Sequence, residues 1–245
     1  ILATKILDGR VCLFCDGTPH VLYMPELFIE NLQKSEDLYH RSLISSTLRI
    51  IRFLGFIISV FLPGLYISIV TFNPEMLPPP FLITIIASME KTPFPEAIEI
   101  LFLTLMMELL KESGTRLPRT LGSAVSIVGA LVIGESAVSA GIVSSPSVII
   151  VALSAVSGYI IPNLKEFTTI YKLLFIILCS TMGLIGFGAG IIVMLTQLSS
   201  IKSFGVPIMS FFGKNDLKDS LIRFPTKQLK YRPASIQKDN LKRMS

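Results

Sequence analysis

The chain has 245 residues, of which only 16% are charged while 51% are hydrophobic, and its mean hydropathy is +0.67. This composition excludes an intrinsically disordered chain and does not fit an ordinary soluble domain, which carries more charge. The net charge of +5 therefore does not indicate a nucleic-acid-binding protein, because so much apolar surface must face something other than water.

The distribution of charge predicts three regions. Residues 1–52 carry balanced charges and indicate the end of a cytosolic domain. Residues 53–201 contain long uncharged segments and are predicted to form a transmembrane domain. Residues 202–245 form a basic tail with ten basic and three acidic side chains, which could contact anionic lipid headgroups or simply mark the cytoplasmic side.

The first region is predicted to be a small α/β remnant of a soluble domain. Two apolar runs, Val11–Cys15 and Val21–Met24, flank the turn sequence Asp16-Gly17-Thr18-Pro19, which is typical of strand, turn and strand. Hydrophobic residues then recur at roughly helical spacing and predict a helix after Pro25; they are Leu27, Phe28, Leu32, Leu38 and Leu43.

Four segments of the second region are long and apolar enough to be candidate membrane spans. They cover about 53–72, 121–142, 146–162 and 172–198. Only Ser144-Ser145-Pro146 separates the second from the third, so these two are predicted to form an antiparallel helical hairpin. Basic residues flank the first span and are frequent in the tail, which predicts that both termini lie in the cytoplasm. Termini on the same side require an even number of crossings.

The chain between the first two spans has a different character. The prolines of Pro78–Pro80 bound the short apolar segment Phe81–Ser88, for which we expect a re-entrant or surface position. Glu96–Glu112 then has the pattern of an amphipathic helix lying along the interface or against a water-filled path. Its predicted apolar face comprises Ile98, Leu101, Phe102, Leu105 and Leu109, and its polar arc comprises Glu96, Glu99, Glu108, Lys111 and Glu112. The predicted fold is thus an α-helical polytopic membrane protein with about four spans and one interfacial or re-entrant helix.

Several motifs along the chain resemble one known family. They are Pro93-Phe94-Pro95-Glu96, the segment 108–118, the segments 126–134 and 137–143, and flanking sequences such as Asp16-Gly17-Thr18-Pro19 and Ser203-Phe204-Gly205-Val206-Pro207. In this order they resemble the A subunits of bacterial spore germinant receptors, which make up the GerA family. The resemblance covers essentially the whole chain, although the family's N-terminal cytosolic domain is longer than residues 1–52.

The resemblance implies a function in spore germination. A subunits of this family lie in the inner spore membrane with a multi-spanning B subunit that binds the nutrient and a lipoprotein C subunit. It implies that copies of the chain form a homo-oligomer that conducts cations in response to nutrient. The alternative is a scaffold that holds the sensing subunit and conducts nothing.

Glu135 is the first candidate for a pore or gate residue, because it interrupts the second predicted span. A carboxylate at that depth is unfavourable by at least about 2.5 kcal/mol and should face water, a partner or the bundle interior. Repeated around an oligomer, it would form an acidic ring that favours cations. Equally, it could be protonated or hydrogen-bonded for packing. Ser139 on the same predicted helix is a further candidate.

Glu99 and Glu108 are the candidates from the amphipathic segment. With Glu96 and Glu112 they form an acidic arc that could line a cation vestibule. The alternative is that the arc is the solvated face of a surface helix.

Small side chains indicate where helices pack closely. On the second predicted span they form a stripe of Ser126, Ala130, Gly134, Ala137 and Gly141, and in the fourth predicted span Gly186 and Gly190 form a GxxxG pair. Cys12 and Cys15 have C-x-x-C spacing without a second pair, so no metal site is predicted. No cofactor is predicted, and no arrangement of residues indicates an enzyme.

Overall fold

The computed structural model describes residues 5–6, 9–18, 21–116, 129, 132 and 134–209, without the side chains of residues 35, 38, 115 and 116. The chain divides into two compact units. One comprises Ile1–Leu54 with Val193–Ser245, and the other comprises Gly55–Ile192. The described residues are mainly helical.

The first unit contains the predicted strand, turn and strand. β1 (Val11–Phe14) pairs with β2 (Val21–Met24) in an antiparallel hairpin, with Val11 opposite Met24 and Phe14 opposite Val21. The described part of the last region also begins with a short hairpin, formed by β3 (Lys202–Ser203) and β4 (Val206–Pro207). The rest of the predicted basic tail, from residue 210, lies outside the described residues.

The predicted helix after Pro25 is wrong over most of its length. The chain forms two short 3₁₀ turns, Phe28–Leu32 and Ser35–Leu38, before an α-helix begins at Ser42. The physical reason is local competition for backbone hydrogen bonds. The Leu27 N–H donates to Glu30 Oε2 and the Lys34 N–H to Asp37 Oδ2, so each acidic side chain closes its own turn.

Buried ion pairs stabilise this unit. Asp37 is fully buried and accepts two hydrogen bonds from Arg52, at 2.6 Å and 2.8 Å. Burial alone would raise the pKa of the Asp37 carboxyl. The hydrogen bonds from Arg52 and the Lys34 N–H, with the charges of Arg52 and Arg49, outweigh burial and lower that pKa below its usual range. A second buried carboxylate, Glu30, similarly binds Arg10.

The first predicted span is confirmed as a long apolar helix. α1 (Ser42–Ile67) continues through one π turn (Ser68–Phe72), giving 31 residues that are long and apolar enough to cross a membrane. The helix starts eleven residues before the predicted span, because the more polar residues 42–52 continue the same helix.

Further helices follow α1 in the chain. α2 (Pro79–Met89) begins at a proline whose fixed φ suits the first helical turn. It is followed by α3 (Glu96–Arg116) and α4 (Ser145–Tyr159). α4 corresponds to the third predicted span and has only 15 residues. Half of the second predicted span, residues 121–142, lies outside the described residues, although residues 134–139 are helical.

The fourth predicted span is corrected, because its helix is not continuous. α5 (Lys165–Ser200) lies in the segment Pro162–Ser200, which has the length and hydropathy of a span, but its backbone breaks at Gly183 with φ 58° and ψ −135°. The arms on either side fold back on each other. A Cβ placed on Gly190, on one side of the break, would lie 2.6 Å from Cε1 of Phe175, on the other side.

The second unit has its core between these helices. The buried cluster contains Tyr66, Ile67, Val70, Ile85, Ile100, Leu103, Val143, Val151 and Ile176. These residues come from α1 to α5 and from the turn before α4, so the core joins α1 to α2, α3, α4 and α5. This arrangement positions the polar side chains described below.

Candidate functional site

α3 directs several charged residues inward, while several of its large apolar residues point outward. Glu96, Glu99 and Lys111 are only 3%, 1% and 8% exposed. The predicted apolar face is largely exposed, including Ile98 at 51% and Leu109 at 63%. The alternative of a solvated acidic face is therefore wrong for Glu96 and Glu99. An outward apolar face and an inward polar face are typical of a helix surrounded by lipid rather than water.

The inward face of α3 meets the N-terminus of α4 at a cluster of oxygen atoms. Glu99 Oε2 accepts a hydrogen bond from the Ser144 N–H at 2.9 Å and lies 3.2 Å from Ser147 Oγ. Ser147 Oγ also donates to Glu96 Oε1, and it lies 2.7 Å from Ser144 Oγ. One serine hydroxyl thus bridges two buried carboxylates. We call Glu96, Glu99, Ser144 and Ser147, together with Tyr66 of α1, the carboxylate pocket.

Tyr66 completes the carboxylate pocket from α1. Its ring is 8% exposed, and its hydroxyl interacts with the Glu96 carboxylate and the Ser147 hydroxyl. The Tyr66 hydroxyl forms no hydrogen bond of ordinary geometry with a described residue, and the same holds for Glu96 Oε2 and Glu99 Oε1. The pocket therefore contains three buried oxygen atoms without such a bond.

The C-terminal half of α3 contains a second buried group of charges, centred on Glu108. Its Oε1 lies 3.0 Å from Lys111 Nζ and 3.5 Å from Lys172 Nζ, and its Oε2 accepts a hydrogen bond from Thr169 at 3.2 Å. The Lys111 ammonium also lies 5.4 Å from the centre of the Tyr159 ring. Glu108 is thus held by two cations, and α3 is joined to α5 through it.

Glu135 and Ser139 lie apart from both groups. They are in the helical residues 134–139 and both are exposed in the single chain, and the Ser139 hydroxyl donates to the Ser136 carbonyl at 3.0 Å. The structure does not bring Glu135 together with Glu99 or Glu108 through any described contact. An exposed carboxylate beside apolar residues is available to a partner or to water.

The small residues occupy close contacts where the structure describes them. A Cβ on Gly134 would lie 3.4 Å from Val148 of α4, and Ala137 packs against the core. Gly141 has φ +67° in the turn before α4, while Gly186 and Gly190 lie between the arms of α5. Ser126 and Ala130 are outside the described residues.

Sequence reasoning missed several members of these groups. Tyr66 lies inside an apolar span and carried no pattern that separates it from core residues. Ser144 was interpreted only as part of a tight turn and Ser147 only as part of the third span, although the run Ser144-Ser145-Pro146-Ser147 is also a source of hydroxyl groups at a helix N-terminus. Among the described residues, no three His, Cys, Asp or Glu side chains form a metal-ligand group.

The structure has two segments with the length and hydropathy of membrane spans, and charged side chains are buried between its helices. Both features are typical of an α-helical membrane protein. Residues 1–235 match the family described as Bacillus/Clostridium GerA spore germination protein. The chain belongs to this family, as its motifs predicted.

Curated relatives from Bacillus subtilis (strain 168) are similar over nearly the whole chain. Spore germination protein KA is 44% identical and covers 98% of the chain, which spans 45% of that relative. The uncharacterized membrane protein YfkQ is 37% identical, covering 98% of the chain and 48% of the relative. Spore germination protein A1 is 35% identical, covering 98% and 50%. The chain thus spans about half the length of these relatives. No solved structure matches the chain.

Proposed function

We propose that this chain is the membrane-embedded part of a nutrient germinant receptor subunit, and that copies of it assemble into a nutrient-gated cation channel. The observation that carries the proposal is the orientation of α3, whose Glu96 and Glu99 face the bundle interior in a relative of spore germination proteins. Carboxylates facing a protected interior attract cations. A multi-spanning B subunit and a lipoprotein C subunit are the proposed partners, in the inner spore membrane with both termini cytoplasmic.

Glu135 is the proposed pore residue in the assembled channel. It is exposed in the single chain, on a helical segment that also carries the closely packed Gly134. Around an oligomer the carboxylate would repeat as a ring, which would favour cations over anions. Ser139 lies one turn further along the same segment and would line the same path.

The experiment measures cation release from spores that carry the complete receptor. Spores are exposed to a panel of amino acids, sugars and nucleosides, and K⁺ and Na⁺ efflux is recorded. Glu135→Gln should reduce efflux or change the ratio of the two ions, while the subunit remains in the membrane at normal abundance. Glu90→Gln, at another exposed glutamate, is the matched control. Unchanged efflux in Glu135→Gln would remove this residue from the pore.

The second candidate function is a scaffold without conduction. The fully engaged Glu108 favours it, because a carboxylate held by Lys111, Lys172 and Thr169 serves to join helices. Current recordings from the receptor reconstituted in liposomes distinguish the two functions. A scaffold would give no nutrient-dependent current, whereas the channel would give current that depends on the cation present.

A further inference from the structure

The carboxylate pocket differs from the other buried acidic sites of the described chain. Glu30 binds Arg10, Asp37 binds Arg52, and Glu108 binds two lysines. Among the described residues, no Lys, Arg or His forms an ion pair with Glu96 or Glu99. The two carboxylates are nevertheless among the most buried charged side chains described, at 3% and 1% exposed. A buried carboxylate without compensation is unfavourable by several kcal/mol.

The pocket also offers more acceptor oxygen atoms than its hydroxyl groups can satisfy. Ser144, Ser147 and Tyr66 supply one hydroxyl proton each and the Ser144 N–H supplies one more, whereas the two carboxylates alone present four acceptor oxygen atoms, each able to accept more than one hydrogen bond. Glu96 Oε2 and Glu99 Oε1 form no hydrogen bond of ordinary geometry with a described residue. A positively charged species would compensate the two carboxylates.

Tyr66 provides an independent indication of a ligand. Its hydroxyl comes from a different helix, is more than nine-tenths buried, interacts with Glu96, and lacks a hydrogen bond of ordinary geometry. A buried polar group without such a bond is unfavourable unless something binds it. A cation next to the carboxylates would bind the lone pairs of this oxygen.

We propose that the carboxylate pocket binds one divalent cation of the Ca²⁺ class. Two ionised carboxylates balance two positive charges, whereas a monovalent ion would leave one buried negative charge. The two carboxylates and three hydroxyls present enough oxygen atoms for the roughly six to eight ligands that Ca²⁺ takes in irregular geometry. Mg²⁺ demands octahedral geometry and retains several waters, which a pocket this buried does not favour.

The bound ion would join three helices. It would contact α1 through Tyr66, α3 through Glu96 and Glu99, and the N-terminus of α4 through the serines. Binding would therefore stabilise the packing of the second unit. This inference goes beyond the proposed function and does not depend on whether the protein conducts.

The test uses the whole 245-residue chain in lipid nanodiscs, stripped with chelator and titrated with CaCl₂ at constant ionic strength. Thermal unfolding should show a saturable rise in Tm of about 5 °C or more. Equilibrium binding of ⁴⁵Ca²⁺ should give one ion per chain. Glu96→Gln and Glu99→Gln should abolish both effects, and Tyr66→Phe should weaken binding by about tenfold. Glu90→Gln, an exposed carboxylate, is the matched control and should keep both.

Four outcomes would overturn the proposal. They are no ⁴⁵Ca²⁺ binding by the unmodified chain, binding that both glutamine variants retain, a Tm rise that K⁺ or Mg²⁺ reproduces equally, and a Tm that responds only to pH. The last outcome would mean that protons, and not a metal cation, neutralise the buried carboxylates of Glu96 and Glu99. The binding measurement on the unmodified chain can refute the proposal even if one of the variants fails to fold.

Discussion

Glu108→Gln should loosen the second unit, because it leaves two buried ammonium groups without their carboxylate. The side chains of Lys111 and Lys172 are 8% and 4% exposed. At an effective dielectric constant of about 20, unit charges separated by the 3.5 Å of the longer pair attract by about 5 kcal/mol. Desolvation offsets much of this in the intact pair, but removing one partner of a buried pair is unfavourable by about 3–5 kcal/mol.

Cys179 provides the assay. It is fully buried, and its Sγ lies 3.1 Å from the Cβ position of Gly64, so its thiol reports the packing of α5 against α1. In a Cys12→Ser/Cys15→Ser background, a maleimide should label it only when this packing opens. If the labelling rate is proportional to the equilibrium population of the open state, a loss of about 3 kcal/mol of stability raises that rate on the order of 100-fold.

The matched control is Glu112→Gln, the same substitution one turn along α3. Glu112 and Lys165 form a pair at 3.5 Å whose side chains are 55% and 41% exposed, and such pairs contribute at most about 1 kcal/mol. The labelling rate should rise less than about fivefold. Equal rates for Glu108→Gln and Glu112→Gln would refute the reasoning that burial makes the Glu108 pairs strong.

Two further predictions concern the first unit and the break in α5. Because the pKa of Asp37 is lowered on folding, its contribution to stability is present above its unfolded value of about 3.9 and is lost as pH falls through the folded value. Thermal melts should show a loss of the Asp37 contribution below about pH 4, and Asp37→Asn should reduce the acid dependence; an identical acid profile in the variant would contradict this. Gly183→Ala should destabilise the chain by about 1 kcal/mol or more, because φ is 58° and the new Cβ would lie 2.7 Å from Phe72 Cγ. Gly188→Ala, with nothing within 4 Å of the Cβ position, is the control, and equal Tm values for the two variants would argue against a strained turn at Gly183.

The sequence allowed the hairpin of β1 and β2 to be predicted, because local turn chemistry at Asp16-Gly17 determines it. It also predicted the first span, since an uncharged run of that length has few other uses. The family followed from motifs that extend along the chain. The predicted helix after Pro25 failed because Glu30 and Asp37 bind backbone N–H groups of their own turns, which periodicity does not reveal.

The sequence by itself determined that α3 has a polar and an apolar face, but only the tertiary structure decided which face points inward. The same period of about 3.6 residues fits a helix in water and a helix in lipid, and the two environments bury opposite faces. Similarly, the apolar composition of α5 is readable residue by residue, whereas its reversal at Gly183 depends on contacts with residues distant in the chain. The carboxylate pocket exists for the same reason, because Tyr66, Glu96 and Ser147 meet only when three helices pack together.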